Sequence, residues 1–356
     1  MEEEQMDKNV FSERHMGVTF GFYAKNGYFS SQEARDEVDA IAAAGANWVV
    51  LVVTVMQEDA HGTRQFRDFV NTPNDLELKD IIDYIHSKGI NVQLRPMLEC
   101  FDGEGRLSIN FLHDRERIPG HKYDRCSRWF ESMTARSVYY ARIAEMTGCE
   151  MYCLDSELDR IIRFNDQWKD VIRHVRQVYS GAVTSCHTIH TGVIDFEKEL
   201  ENKEHWFYDL DALSISDYIK AADFGGCSVE EMSEYMKGER DRLRRIAEMY
   251  GKPILFGEIG CTAVQGAACS PSSWNIVRAV DEDEQANYLE AVMRTFADEP
   301  WWYGMYWWKW EEQVDRPWKT DPAVGDCGFT VRGKKAEQVM RKWYKALGKS
   351  DKRLIF

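Results

Sequence analysis

The chain has 356 residues, 44% of them hydrophobic and 13% aromatic, which is enough apolar material to bury a full core. Its formal net charge of −15 opposes binding to nucleic acid or an anionic membrane and suits an enzyme acting on a neutral substrate. The first residues, Met-Glu-Glu-Glu-Gln-Met-Asp-Lys, hold no basic and no apolar signal region, so a cytoplasmic location is expected.

No run of ~18 apolar residues occurs to span a membrane. The nine cysteines are odd in number and scattered, several of them in strand-like runs. They read as reduced core residues rather than a disulfide framework.

A short apolar and aromatic run at 17–23 predicts a first strand. Residues 31–44 have helical spacing, with Ser30 or Ser31 as N-cap and Gly45 as the stop. Residues 48–55 are almost continuously β-branched or aromatic, as a strand buried on both faces should be. A helix over 75–88 ends at Gly89, and a third strand follows at 90–96. After a loop rich in Gly, Asp and Arg comes a long helix over about 127–146. A strand at 150–154 leads to a helix at 164–179, stopped near Gly181. A strand at 182–186 and a shorter helix around 196–204 follow. The sixth strand, 212–215, precedes a helix at 229–250 that stops at Gly251. The seventh strand, 253–257, precedes a helix at 281–298. The eighth, 303–308, precedes the last helix, 334–347.

Eight such units in succession predict an α/β fold, a single-domain (β/α)8 TIM barrel. Residues 1–16 would form an N-terminal extension, 17–348 the barrel and 349–356 a C-terminal tail, since no Pro/Ser/Gly-rich linker divides the chain. The competing doubly wound sheet lacks its glycine-rich phosphate loop, because the first strand runs into Phe22-Tyr23-Ala24-Lys25-Asn26.

Barrel enzymes place their chemistry at the C-terminal strand ends. The polar and aromatic residues there are Gln57, Glu58, Arg95, Glu99, Asp155, Glu157, His187, His190, Asp217, Tyr218, Glu258, Trp308 and Trp310. Two carboxylates stand out. Glu157 lies in Leu154-Asp-Ser-Glu-Leu158, and Glu258 in Pro253-Ile-Leu-Phe-Gly-Glu-Ile-Gly260, each where an apolar run ends. A carboxylate so placed is costly to desolvate unless it is paired or used. Taken singly, either could be an ion-pair partner of a barrel Arg or Lys. As a pair they fit retaining glycosidic cleavage, which needs one protonated and one ionised carboxyl about 5–5.5 Å apart.

The run Trp301-Trp-Tyr-Gly-Met-Tyr-Trp-Trp-Lys-Trp310 adds flat apolar surface of the kind that stacks on sugar rings. Period-two alternation puts Tyr306, Trp308 and Trp310 on one face. Trp308 and Trp310 are therefore expected to contact sugar, and Trp301, Trp302 and Trp307 to pack as core. Cys186-His187-Thr-Ile-His190 could bring two imidazoles together, but the pattern specifies no third metal ligand, so sugar-hydroxyl contact or a structural role is expected. No positioned histidine singles out a nucleophilic cysteine.

At these residues the chain resembles glycoside hydrolase family 113, in the clan of retaining (β/α)8 hydrolases that includes the β-mannanases. The resemblance runs over about 17–344. It is most specific at Lys252-Pro-Ile-Leu-Phe-Gly-Glu-Ile-Gly260, Gly266-Ala-Ala268 and Pro271, with Asp283-Glu-Gln-Ala286 and Gly304 to Trp310 next. It implies Glu258 as nucleophile, Glu157 as acid/base, Tyr218 bonded to the nucleophile, and Trp308 or Trp310 as a subsite floor. It further implies β-1,4-mannan or manno-oligosaccharides as substrate, with no metal and no organic cofactor.

The chain departs from the pattern at Ser156, where many clan members carry Asn, so the contact to the sugar's 2-hydroxyl falls to Ser156 or elsewhere. It departs again at Arg95-Pro96-Met97 and Gly105-Arg106-Leu107, where the family often has Lys-Pro-His and Trp-Arg-Gly runs. Gln57, Arg95, Ser156 and His187 complete the expected sugar contacts. The departures keep two other readings open: a retaining hydrolase of another β-hexoside that trims oligosaccharides from one end, and a carbohydrate-binding barrel without catalysis.

Overall fold

The computed structural model describes residues 10–111, 124–275, 278–312, 320–321 and 325–348. The ends of the expected extension and tail, 1–9 and 349–356, lie outside the described residues. Eight parallel strands close into a barrel: β1 (His15–Phe20), β2 (Trp48–Gln57), β4 (Asn91–Cys100), β5 (Met151–Ser156), β6 (Ala182–Thr188), β7 (Leu213–Ser216), β8 (Ile254–Ile259) and β9 (Trp302–Trp310). Pairing of β1 with both β2 and β9 closes it. A two-residue strand, β3 (Gln65–Phe66), adds antiparallel to the end of β2. A small ribbon, β10 (Thr320–Asp321) with β11 (Gly325–Asp326), lies outside the barrel sheet.

Eight helices alternate with the barrel strands: α1 (Gln32–Ala43), α2 (Asp75–Ser87), α3 (Arg125–Thr147), α4 (Asn165–Arg176), α5 (Phe196–Glu201), α6 (Val229–Tyr250), α7 (Glu282–Phe296) and α8 (Lys335–Leu347). Their starts follow from local capping. Ser31 accepts the Ala34 amide at the head of α1, and Asn74 with Glu77, and Ser228 with Glu231, close reciprocal capping boxes on α2 and α6. No described helix is long and apolar enough to cross a membrane.

The alternation of β2 builds two cores at once. Trp48, Val50 and Val52 point into the barrel with Met97, Met151, Leu255 and Tyr306. Val49, Leu51, Val53 and Val55 face the helix layer. Residues just ahead of β1 plug the barrel floor. Val10 and Phe11 pack on the inner core, and His15 stacks on Trp48 with ring centroids 3.9 Å apart. The strand begins two residues inside the expected extension, because His15 and Met16 are already sheet residues. The nine cysteines are free, seven of them buried, as expected of core residues.

Candidate active site

The barrel interior becomes polar as it climbs. Along β4, Gln93, Arg95, Met97 and Glu99 share one face. Arg95 is completely buried and donates to Gln93 Oε1 at 2.9 and 3.2 Å, to the Gly257 carbonyl at 3.1 Å and to Glu258 Oε1 at 3.1 Å. Glu258, on β8, is 2% exposed. Its Oε1 also accepts the Ser156 hydroxyl at 2.6 Å, and its Oε2 the Tyr218 hydroxyl at 3.4 Å. Three donors, one of them a guanidinium, thus converge on this carboxylate and fix its position. The glycine after it in the motif has a steric reason: a Cβ on Gly260 would lie 2.0 Å from the Trp308 carbonyl oxygen, so only glycine lets β8 and β9 approach here.

Glu157 follows β5 and is the one non-glycine residue among those described with a left-handed backbone, φ 62°. Such a conformation costs roughly 1–3 kcal/mol and persists only where its surroundings impose it. Here the Glu157 amide donates to the Cys186 carbonyl at 2.8 Å, fixing the turn off the strand. The side chain then meets Ser216, whose hydroxyl donates to Oε1 at 3.0 Å, and Arg106, which donates to Oε2 at 2.9 Å. Ser216 is also the register partner of Glu258, so both carboxyls converge on one strand end. Burial, then the negative charge of Glu258, push the Glu157 carboxyl up to about 7, against the opposing pull of Arg106. One carboxyl is thus poised to carry a proton near neutrality while its neighbour is fixed by donors.

Arg106 comes from the short 3-10 turn Arg106–Ser108 in the loop after β4. It is buried and bridges Glu99, the Ser156 carbonyl at 2.9 Å, and Glu157. Arg106→Gln should move the alkaline limb of the kcat/KM profile upward by about one pH unit, because the cation that favours ionised Glu157 is gone. A pH-rate series on an oligosaccharide checks this, and an unmoved or lowered limb contradicts it.

The two carboxyls open into a cleft of about 1520 Å³ at the C-terminal barrel mouth. Tyr218 and Trp308 line it, with Phe22, Phe101 and Trp274 among the aromatic walls. Other expected contacts lie elsewhere. Trp310 is fully buried on the outer face, its indole N–H bonded to Glu37 Oε2 at 2.8 Å. The cause is a register irregularity: Val18 pairs with Trp307 but Phe20 with Trp310, so β9 carries one extra residue and the alternation flips. Gln57 is buried, accepting the Trp129 indole N–H at 2.9 Å and donating to the Asp59 carbonyl at 2.7 Å. His187 is buried beside Trp206 and Phe207, bonded to Ser185 at 3.0 Å and Asp159 at 3.2 Å. Arg95 and Ser156 belong to the site but face the Glu258 carboxylate rather than the open cleft. Arg106 and Ser216 carry contacts to Glu157 that the sequence did not assign; for Arg106 the signals were a cation in the Gly-, Asp- and Arg-rich loop after the third barrel strand and the departure at Gly105-Arg106-Leu107.

The model of Glycoside Hydrolase Family 113 matches residues 18–334. Two solved structures described as GH113 β-1,4-mannanase are 28% and 29% identical, each covering 94% of this chain and 99% of that one at a TM-score of 0.79. The GH113 β-mannanase of Alicyclobacillus acidocaldarius in complex with ManMIm is 28% identical, covering 94% and 98% at the same TM-score. A β-glucuronidase of Faecalibacterium prausnitzii, 14% identical at a TM-score of 0.59 over 94% of this chain and 49% of its own, shares the fold alone. No curated protein sequence matches.

Proposed function

We propose that this chain, which belongs to glycoside hydrolase family 113, cleaves β-1,4-linked mannan or manno-oligosaccharides with retention of anomeric configuration. The observation that carries the reading is the opposed setting of two carboxyls in one cleft: Glu258 held by Arg95, Ser156 and Tyr218, and Glu157 pushed up in pKa by burial and by Glu258. The mannanase structures that this chain resembles support the choice of sugar.

In the first step Glu258 attacks the anomeric carbon. Its Oε2 is the attacking atom, because Oε1 is engaged by Arg95 and Ser156 while Oε2 has, among the described residues, only the long Tyr218 contact. The bond from carbon to the leaving oxygen breaks, and protonated Glu157 gives that oxygen its proton. The glycosyl ester on Glu258 is then opened by water, whose proton returns to Glu157 as its oxygen bonds the anomeric carbon. Developing positive charge on the sugar ring is met by the attacking Glu258 carboxylate, and Trp308 offers a flat wall beside it.

Incubation with a panel of β-linked manno- and gluco-oligosaccharides tests the reading. Release of mannose or mannobiose is expected, with the β-anomer first in proton NMR. Cleavage of gluco- but not manno-oligosaccharides would keep the two carboxyls and move the substrate to another β-hexoside. That second outcome has one observation in its favour: the Ser156 hydroxyl, at the position where many clan members carry Asn, donates to Glu258 Oε1 at 2.6 Å. Binding without turnover of any member would overturn the hydrolase reading.

A further inference from the structure

A second group of ligand-type side chains lies beside the catalytic pair. His190 in the loop after β6, Asp217 just past β7 and Glu239 on α6 each bring one such atom within 4.8 Å of the others. Asp217 is completely buried. Its Oδ1 meets His190 Nε2, while its Oδ2 has no hydrogen-bond partner among the described residues. A buried carboxylate oxygen without a donor carries an uncompensated desolvation cost. Glu239 adds to the crowding: burial and the charge of Asp217 raise its pKa, opposed by Arg242, 3.4 Å away, and by His190. Two carboxylates thus face each other across a space that an imidazole only partly neutralises.

We propose that His190, Asp217 and Glu239 form a binding site for a divalent transition ion of the Mn2+ or Zn2+ class. One imidazole nitrogen with two carboxylate oxygens is a donor set these ions accept, with further positions left to water. The ion neutralises both carboxylates and takes the acceptor capacity that Asp217 leaves unused. His190 lines the cleft, so an entry path from solvent exists. The role is bracing rather than chemistry. The Asp217 amide donates to the Glu258 carbonyl at 2.8 Å, and the next residue, Tyr218, reaches the Glu258 carboxylate. An ion at Asp217 therefore ties the β6 loop and α6 to the strand end that holds the nucleophile in register. The tie joins elements distant in sequence, which is why the His187–His190 spacing by itself pointed to no third ligand.

Calorimetric titration of the chelator-treated full chain with MnCl2 should show one ion bound per chain, with a raised thermal midpoint. Mn2+ is the primary probe because thiolates bind it poorly, which keeps the nine cysteines from contributing. Glu239→Gln and His190→Ala should each weaken Mn2+ binding about tenfold or more while circular dichroism stays that of the parent. ZnCl2 should compete for the same site and lose it in the same variants. Absence of stoichiometric uptake of either ion at millimolar concentration overturns the proposal. So does uptake that neither substitution weakens, since the ion is then elsewhere.

Discussion

Glu258→Gln should cut turnover by at least ~10,000-fold while leaving the fold in place. The amide keeps the volume and can still accept from Ser156 and Arg95, but it is no nucleophile toward the anomeric carbon. Glu258→Ala should be equally inactive and also less stable. It strips the anionic partner from Arg95, a guanidinium with no exposure to solvent, and breaking a buried ion pair on one side costs about 3–5 kcal/mol. Gln93 and the Gly257 carbonyl keep their bonds to Arg95, which places the expected loss at the lower end of that range. Two measurements separate the chemical effect from the structural one: kcat on a manno-oligosaccharide, and the thermal midpoint of both variants. A third names the atom. A mannoside with fluorine at C2 and a good leaving group should leave its sugar on the peptide that contains Glu258 and nowhere else. Turnover near the parent's in the Gln variant, or label on another peptide, would sink the assignment.

The barrel itself was legible because its signals are local and repeated. Runs such as 48–55 read as strands buried on both faces, and most helices, α4 and α8 excepted, announce their start with a capping side chain, several their stop with a glycine. The two glutamates were legible for the same reason, as charges at the ends of apolar runs. Depth was not. The pattern says that Gln57, Arg95 and His187 lie near strand ends, but not whether each side chain meets the cleft, the layer beneath it or the helices. The answer came from partners remote in sequence: Trp129 for Gln57, Gly257 and Glu258 for Arg95, Asp159 for His187. Trp310 was misplaced by a strictly local event, one extra residue in β9, that period-two reasoning has no means to foresee.

Arg106 was the largest omission, and the reason is general. A loop has no period, so its sequence does not say which residue turns inward. Yet that loop supplies the cation that sets the balance on Glu157. The two departures from the family pattern in this region, at Arg95-Pro96-Met97 and Gly105-Arg106-Leu107, differ in consequence. Arg95 lies beneath the carboxylates and serves Glu258, whereas Arg106 lines the cleft and serves Glu157. Changes at the first bear on the donors around Glu258, and changes at the second on both Glu157 and the adjoining cleft wall.

Glu157→Ala should lower kcat on natural oligosaccharides by roughly 100- to 10,000-fold and spare substrates with a good leaving group almost entirely in the first step. The difference follows from what the acid does. A sugar alkoxide leaves poorly without a proton, whereas a nitrophenolate needs none, so its departure is indifferent to the loss of Glu157. Hydrolysis of the glycosyl ester still needs a base, so the variant should accumulate the intermediate and show a burst of nitrophenol followed by slow turnover. A small anion such as azide, which needs no deprotonation, should restore the second step and give a β-glycosyl azide. The pH profile supplies an independent sign. In the parent, Glu157 must be protonated, and burial with the Glu258 charge holds it so up to about 7, so activity falls as pH rises through that value. In the variant this alkaline limb should be absent from the first step with nitrophenyl substrate, because the group that titrated has gone. The backbone argues that such a variant is a fair test: the left-handed turn is held by the Glu157 amide bond to Cys186, which does not depend on the side chain. Equal losses on both kinds of substrate, with the alkaline limb retained, would remove Glu157 from the acid role and direct the search to another proton donor at the cleft.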